Sequence, residues 1–294
     1  EYSIRVSVFD TLGKEVREHI LINIDPKRAD NWPKQVGIFE LVGSWNYLQP
    51  SLVPLFVDLN KDGKKEIIVT DGHTLFAWDV AGNPIASFPK PIGAGDLATQ
   101  MAVSDLNGDG SPEIVTNARS SSNGLFVFDQ QGNPVAGFPV SAINGSSQND
   151  VLTVGDITGD GKDEIIISNY SFNNNLISVH AYGENGQIKA GWPITVTRGT
   201  GYGNVNNPIA LADLDNNGSK EVIIANGDTQ FSIYNGAGTL LRTINTTFPS
   251  SNIKFTDHIA VADFTGDGKY DLARLAIDTP SGAGAKTAYL YLID

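Results

Sequence analysis

Short apolar runs separated by polar turns make up most of the chain, and no window combines a helical period with capping residues. The β-branched runs Ile67 to Val69 and Ile165 to Ile167 predict buried strands. The apolar run Leu75 to Trp78 predicts a further strand, and turn residues follow it at Ala81 to Asn83. The pattern therefore predicts an all-β protein built from short antiparallel strands.

One nine-residue pattern occurs five times: Asp at position 1, Asn, Asp or Thr at position 3, Asp or Asn at position 5, Gly at position 6 and an acid at position 9. Its copies are 47, 51, 57 and 50 residues apart and begin at Asp58, Asp105, Asp156, Asp213 and Asp263. A second marker, an aromatic residue followed by proline, recurs with nearly the same period at Trp32-Pro33, Phe88-Pro89, Phe138-Pro139, Trp192-Pro193 and Phe248-Pro249. Two independent markers with one period indicate five copies of one structural unit.

Each repeat has one apolar run before the nine-residue loop, one after it and two further strands before the next repeat. Four short antiparallel strands in about 50 residues are typical of a β-propeller blade. We therefore expect residues 32–294 to form a β-propeller of about five four-stranded antiparallel blades. In the first two repeats the fourth strand is expected to end at the aromatic-proline pair.

The fifth repeat has two strands after its loop, Leu272 to Ile277 and Tyr289 to Ile293, and no fourth strand. The marker Trp32-Pro33, which precedes the first loop, predicts that residues 32–40 supply this strand. Pairing of the N- and C-terminal strands would then close the ring and remove its exposed edges. The alternative is a ring that continues beyond either end of this chain.

Residues 1–31 do not match a blade cleanly. Residues 2–10 and 15–25 alternate like the two strands of a long hairpin. They resemble the end of a polycystic-kidney-disease-type or other immunoglobulin-like module. The rival interpretation is a partial blade, because Val8 to Asp10 parallels Val127 to Asp129 of the second repeat.

The repeated loops have the donor pattern of a calcium site. Glycine at position 6 allows a tight turn, so that side chains from positions 1, 3, 5 and 9 and the backbone carbonyl of position 7 converge on one point. Six or more hard oxygen ligands in a flexible cage suit Ca²⁺ better than Mg²⁺. An EF-hand is rejected, because the closing acid is at position 9 rather than 12 and strands flank the loop. The predicted ligands are Asp58, Asn60, Asp62, Lys64 and Glu66; Asp105, Asn107, Asp109, Ser111 and Glu113; Asp156, Thr158, Asp160, Lys162 and Glu164; Asp213, Asp215, Asn217, Ser219 and Glu221; and Asp263, Thr265, Asp267, Lys269 and Asp271.

The charge balance supports cation binding. The chain has 33 acidic and 20 basic residues and a net charge of −13, and 15 of the acids stand at predicted ligand positions of the five loops. Three carboxylates within a few ångströms repel one another, and about five Ca²⁺ ions would change the net charge to −3. The acidic balance argues against a nucleic-acid partner. The sequence contains no cysteine, which excludes disulfides and thiolate metal sites.

The loop motif and its flanking strands resemble the calcium-binding FG-GAP repeat, the blade of the integrin α-subunit propeller, in its bacterial secreted form. The resemblance covers residues 32–294 and implies that each ion lies in a hairpin between neighbouring strands, held by the residues named above. Two departures are evident. The integrin ring has seven blades of which only some bind calcium, and the dipeptides that name the family are not evident here.

From this resemblance we expect a calcium-stabilised extracellular binding or adhesion module, secreted or at the cell surface, monomeric and part of a larger protein. Its expected ligand is an extracellular protein or a glycan, and no membrane span is predicted. The alternatives are a carbohydrate-recognising propeller, either a lectin or a polysaccharide lyase, and an accessory module of a secreted protease. No catalytic motif supports an enzyme. The candidate lyase residues are Tyr170, His180, Arg198 and Tyr202.

Overall fold

The computed structural model describes residues 2–9, 15–22, 54–93, 97–119, 124–141, 151–171, 176–197, 208–226, 230–246, 253–278 and 287–293. All regular elements in these ranges are β-strands, which confirms the predicted all-β class. None of the described segments forms a helix long and apolar enough to cross a membrane. Residues 32–40, predicted to close the ring, lie outside these ranges.

The first two strands form a hairpin of their own. Strands β1 (Tyr2–Phe9) and β2 (Glu15–Ile22) pair in antiparallel register from Tyr2 opposite Ile22 to Phe9 opposite Glu15. The predicted long hairpin is therefore present. Its assignment to an immunoglobulin-like module stays a prediction.

The other strands form five antiparallel sheets, each a meander in which successive strands are neighbours. Blade 1 contains β3 (Leu55–Val57), β4 (Glu66–Thr70), β5 (Thr74–Trp78) and β6 (Lys90–Pro91). Blade 2 contains β7 (Leu97–Ser104), β8 (Glu113–Arg119), β9 (Gly124–Phe128) and β10 (Val140–Ser141). Blade 3 contains β11 (Val151–Gly155), β12 (Glu164–Ser171), β13 (Leu176–Tyr182) and β14 (Ile194–Thr197). Blade 4 contains β15 (Ile209–Ala212), β16 (Glu221–Ala225), β17 (Gln230–Tyr234) and β18 (Leu240–Asn245). Blade 5 contains β19 (Ile253–Ala262), β20 (Asp271–Asp278) and β21 (Thr287–Ile293).

Consecutive blades meet through their first strands, as in a propeller: β3 contacts β7, β7 contacts β11, β11 contacts β15 and β15 contacts β19. Four buried apolar clusters lie between the blades, one for each consecutive pair. The second strand of a blade contributes to two of them. In β12, Ile165 and Ile167 face the cluster shared with blade 2, whereas Ile166 faces the cluster shared with blade 4. Burial on both faces explains why these strands are continuous β-branched runs.

The predicted position of the fourth strand is wrong in blades 1 and 2. Strands β6 and β10 follow the aromatic-proline pair rather than end at it. Residues Pro84 and Pro134 each make a single bridge to the third strand. A second turn, at residues 86–87 and 136–137, then precedes the aromatic-proline pair. Proline has no N–H with which to continue the pairing of the strands. Ile188 makes the same single bridge in blade 3, so the second turn, rather than the proline, interrupts the pairing in all three blades. In blade 4, by contrast with blades 1 to 3, the fourth strand β18 directly follows the turn after β17 and pairs along β17.

These second turns dock one blade against the next. The aromatic residues of the described markers, Phe88, Phe138 and Trp192, are buried, and each is joined to its proline by a cis peptide bond. The indole Nε1–H of Trp192 donates to the carbonyl oxygen of Gly236 in blade 4 at 2.8 Å. A Cβ atom at Gly236 would lie 1.8 Å from the carbonyl oxygen of Ile157, so only glycine fits between blades 3 and 4 there.

We predict that Gly236→Ala destabilises the protein by about 1–3 kcal/mol, because the added methyl group must displace backbone at the interface between two blades. The matched control is Gly183→Ala, in the corresponding turn of blade 3, where the nearest atom to the added Cβ is 3.6 Å away. Equilibrium denaturation in urea measures both variants. Equal stability of the two variants would contradict this account of the interface.

Candidate metal-binding loops

Each nine-residue loop connects the first and second strands of one blade, as predicted. The closing acid at position 9 is the first residue of the second strand and pairs with the last residue of the first strand. We number the loops by blade: loop 1 is 58–66, loop 2 is 105–113, loop 3 is 156–164, loop 4 is 213–221 and loop 5 is 263–271.

The aspartate at position 1 organises the turn in all five loops. In loop 2, the N–H of Asp109 donates to Oδ1 of Asp105 at 3.1 Å, and the N–H of Gly110 donates to Oδ2 at 2.7 Å. The bond from the glycine N–H to Oδ2 of position 1 recurs at 2.7–2.9 Å in every loop. The carboxylate thus holds the backbone of its own loop in place.

Two left-handed residues set the shape of the turn. The glycine at position 6 has a positive φ in every loop, from +79° in Gly110 to +93° in Gly218. A Cβ at this glycine would meet no atom within 4 Å in four loops, and in loop 2 only the ammonium of Lys61 at 3.8 Å. Glycine is therefore required for its backbone angle rather than for space. Position 4 is also left-handed, which the sequence pattern did not reveal. The position 4 residues are Lys61, Gly108, Gly159, Asn216 and Gly266.

The side chains at positions 3 and 5 lie on the exposed side of the loop. In loop 2, Oδ1 of Asn107 accepts the N–H of Asp109 at 2.8 Å, and Oδ1 of Asp109 accepts the N–H of Ser111 at 2.7 Å. Hydrogen bonds from Ser111 lower the pKa of Asp109 below its ordinary value, which keeps this carboxyl ionised. Position 7, predicted to offer its carbonyl, donates its N–H to position 5 in all five loops.

The closing acid at position 9 is buried in all five loops. One oxygen of each accepts the N–H of position 2, as Oε2 of Glu66 does from Leu59 at 2.7 Å. Burial raises the pKa of Glu113 and of Glu221, because the charged form loses its hydration, and nearby aspartates add to the effect. A buried acid next to other acids is an environment that a cation would stabilise.

Loop 4 has the tightest group of carboxylates. Ligand atoms of Asp213, Asp215 and Glu221 all lie within 4.8 Å of one another. No other group of three acids or histidines in the described ranges is as close. The acids at positions 1, 5 and 9 of the other loops are therefore more widely spaced.

Loop 5 leaves a buried oxygen without a hydrogen bond. Oδ2 of Asp271 accepts the N–H groups of Phe264 and Thr265 at 2.9 and 3.0 Å. Oδ1 of the same carboxylate is fully buried and has no hydrogen-bond partner. Such an atom is costly unless it is neutralised or coordinated. The donor set and this orphaned oxygen fit a hard divalent cation such as Ca²⁺.

The structure describes the side chain of one of the four candidate lyase residues, His180. His180 lies on β13 between Ser178 and Tyr182, with its Nε2 3.0 Å from Oγ of Ser178, and its ring stacks on Tyr182. Burial lowers the pKa of His180. Tyr170 lies on β12, with its backbone opposite Ile177, and Arg198 and Tyr202 lie outside the described residues.

The family assignment follows from the sequence. The model of the FG-GAP-like repeat matches residues 58–116, 105–167, 156–224 and 213–273. Each match begins at position 1 of one loop and continues past the next loop, so the four matches together include all five loops. The chain belongs to the FG-GAP-like repeat family. No curated protein matches the sequence.

Several solved structures are similar to this FG-GAP-like repeat protein. A structure of BBS1N in complex with ARL6DN is 13% identical with a TM-score of 0.51, and the match covers 76% of this chain and 63% of BBS1N. An Agrocybe aegerita lectin that recognises non-reducing terminal N-acetylglucosamine is 17% identical with a TM-score of 0.48, over 99% of this chain and 85% of the lectin. A Bacteroides caccae protein of unknown function is 10% identical with a TM-score of 0.39, over 74% of this chain and 69% of that protein.

We predict that Glu113→Ala lowers the free energy of unfolding in chelator by about 1–3 kcal/mol, because the buried N–H of Leu106 loses its acceptor. Glu113→Gln should cost less, because its amide oxygen can accept the same N–H and no charge is buried. Denaturant titration in EDTA measures both variants. A larger loss for the glutamine variant would contradict the role assigned to this oxygen.

Proposed function

We propose that this FG-GAP-like repeat chain is a calcium-stabilised, non-enzymatic binding module of a larger extracellular protein. The observation that carries the proposal is the burial of the position 9 carboxylate in all five loops, which in loop 4 lies beside the carboxylates of positions 1 and 3. A bound Ca²⁺ would supply positive charge at this point in each blade. In this role the ion holds together the first two strands of the blade and takes part in no reaction.

The donor chemistry supports Ca²⁺ as the ion. Side-chain oxygens at positions 1, 3, 5 and 9 are carboxylates, amides or hydroxyls, all of them hard ligands, and the loops contain no histidine or cysteine. The backbone carbonyl at position 7 completes the predicted set. Orphaned Oδ1 of Asp271 and the three carboxylates of loop 4 support the same assignment.

The extracellular location is inferred from the kind of site. The loops are short, exposed on one side and include neutral ligands such as Thr158 and Thr265. Extracellular modules bind Ca²⁺ with dissociation constants of about 10⁻⁴–10⁻³ M, in the range expected for weak, exposed sites. A secreted or surface protein would meet calcium at concentrations that fill them. The module is proposed to act as a monomer that contacts an extracellular protein or a glycan.

Removal of calcium should lower the melting temperature by about 5 °C or more. One site held at 100 times its dissociation constant adds about 2.7 kcal/mol to stability. For a chain of this size, 1 kcal/mol corresponds to about 2–4 °C. Differential scanning calorimetry in calcium and in EDTA, with Mg²⁺ as the matched ion, tests the proposal. It fails if the two melts coincide and isothermal titration detects no calcium uptake at millimolar concentrations.

A single-loop comparison tests the ligand assignment. We predict that Asp105→Ala reduces the calcium-dependent gain in melting temperature more than Thr265→Ala, because it removes a charged rather than a neutral ligand. The gain is the melting temperature in calcium minus the melting temperature in EDTA. The loss of the backbone hydrogen bonds to Asp105 lowers both melting temperatures and therefore cancels in this difference. Asp79→Asn, in a turn outside the loops, is the control for loss of one charge and should leave the gain unchanged. Equal gains in the two loop variants would refute the ranking.

A further inference from the structure

Loop 3 differs from the other loops in the group that faces its closing acid. The ammonium of Lys189 lies 2.8 Å from Oε1 of Glu164, whose side chain is 1% exposed, and the lysine side chain is 26% exposed. The N–H of Ile157 donates to Oε2 at 3.1 Å, and the hydroxyl of Thr158 is 3.4 Å from Oε1. Both oxygens of this buried carboxylate are therefore engaged by groups of the chain itself. The same holds in loops 1 and 2, where an asparagine amide donates to Oε1 of the closing acid, but in loop 3 one of the groups is a cation.

Lys189 occupies a position that is apolar in blades 1 and 2. Its N–H donates to the carbonyl of Ala181 at 2.8 Å, as the N–H groups of Ile85 and Val135 donate to the third strands of their blades. The side chains of Ile85 and Val135 pack against the apolar clusters between blades. The lysine of blade 3 instead extends along the cleft of about 420 Å³ that loops 3 and 4 share, with its charge at Glu164.

The other lysine of this region has a different partner. Lys162, at position 7 of loop 3, places its ammonium 2.8 Å from Oε1 of Glu184, and both side chains are more than a third exposed. It therefore makes a surface ion pair rather than a contact with the closing acid. Loop 4 shows the opposite situation, because Glu221 faces Asp213 and Asp215.

We propose that loop 3 supplies its own cation: the ammonium of Lys189 neutralises Glu164 and takes the oxygen that Ca²⁺ would use. Loop 3 is then held in its folded shape without calcium and binds calcium more weakly than the other loops. This inference rests on the proposed calcium sites, because it describes how one of the five departs from them. Lys189 sets the affinity of loop 3 through charge and through occupation of a ligand oxygen.

The test replaces the lysine by an apolar side chain of similar length. Lys189→Met should increase the calcium affinity of one site by about tenfold or more, because affinity depends on the charge of the ligand set. In EDTA the same variant should melt at a lower temperature than the wild-type protein, because Glu164 is left buried without its cation. Lys90→Met removes the same charge from a strand outside the loops and should change neither result. Isothermal titration calorimetry and thermal melts measure the two effects.

A second substitution assigns the new affinity to loop 3. In Lys189→Met combined with Asp156→Asn, the tighter site should disappear. An unchanged titration for Lys189→Met, even with a lower melt in EDTA, overturns the inference, since the ion pair would then be structural only. If the wild-type protein takes up no calcium but Lys189→Met takes up one ion, the proposed function fails, whereas the role of Lys189 in blocking loop 3 stands. If neither binds calcium, both fail.

Discussion

The structure depends on a carboxylate buried at the start of the second strand of every blade. In the five loops this acid accepts the N–H of position 2, and the following residues enter the clusters between blades. Charged groups are rarely buried without a partner, so the hydrogen bond and the neighbouring ligands must compensate the lost hydration. One residue thus links the loop to the packing of the strand that follows it.

The interface between blades 3 and 4 shows how a loop is joined to the next blade. Ile157, at position 2 of loop 3, donates its N–H to Glu164, while its carbonyl oxygen limits the space at Gly236. Trp192 donates to the carbonyl of that same glycine. The backbone of one loop residue therefore connects a candidate ion site to the packing between blades. Charge compensation in the loop would stabilise this interface as well as the hairpin.

The five loops share a backbone but differ in how their acids are compensated. Loop 4 gathers three carboxylates, loop 5 leaves one buried oxygen without a hydrogen bond, and loop 3 brings in Lys189. Repetition thus preserves the turn, which is determined by hydrogen bonds from backbone N–H groups to the position 1 carboxylate. The electrostatics of each copy depend on one or two side chains. Five copies of one motif need not have equal affinity for an ion.

The amino-acid sequence by itself determined the strand class, the repeat and the place of each loop, because the spacing of Asp, Gly and the closing acid and the β-branched runs beside them are local properties. It also indicated that blade 5 would have two strands after its loop. Only the tertiary structure decided that Lys189 faces Glu164, that Gly236 lies against Ile157 and that β6 and β10 follow the aromatic-proline pair. These features depend on contacts between segments that are 15 to 79 residues apart, and the order of residues along a chain does not specify such contacts.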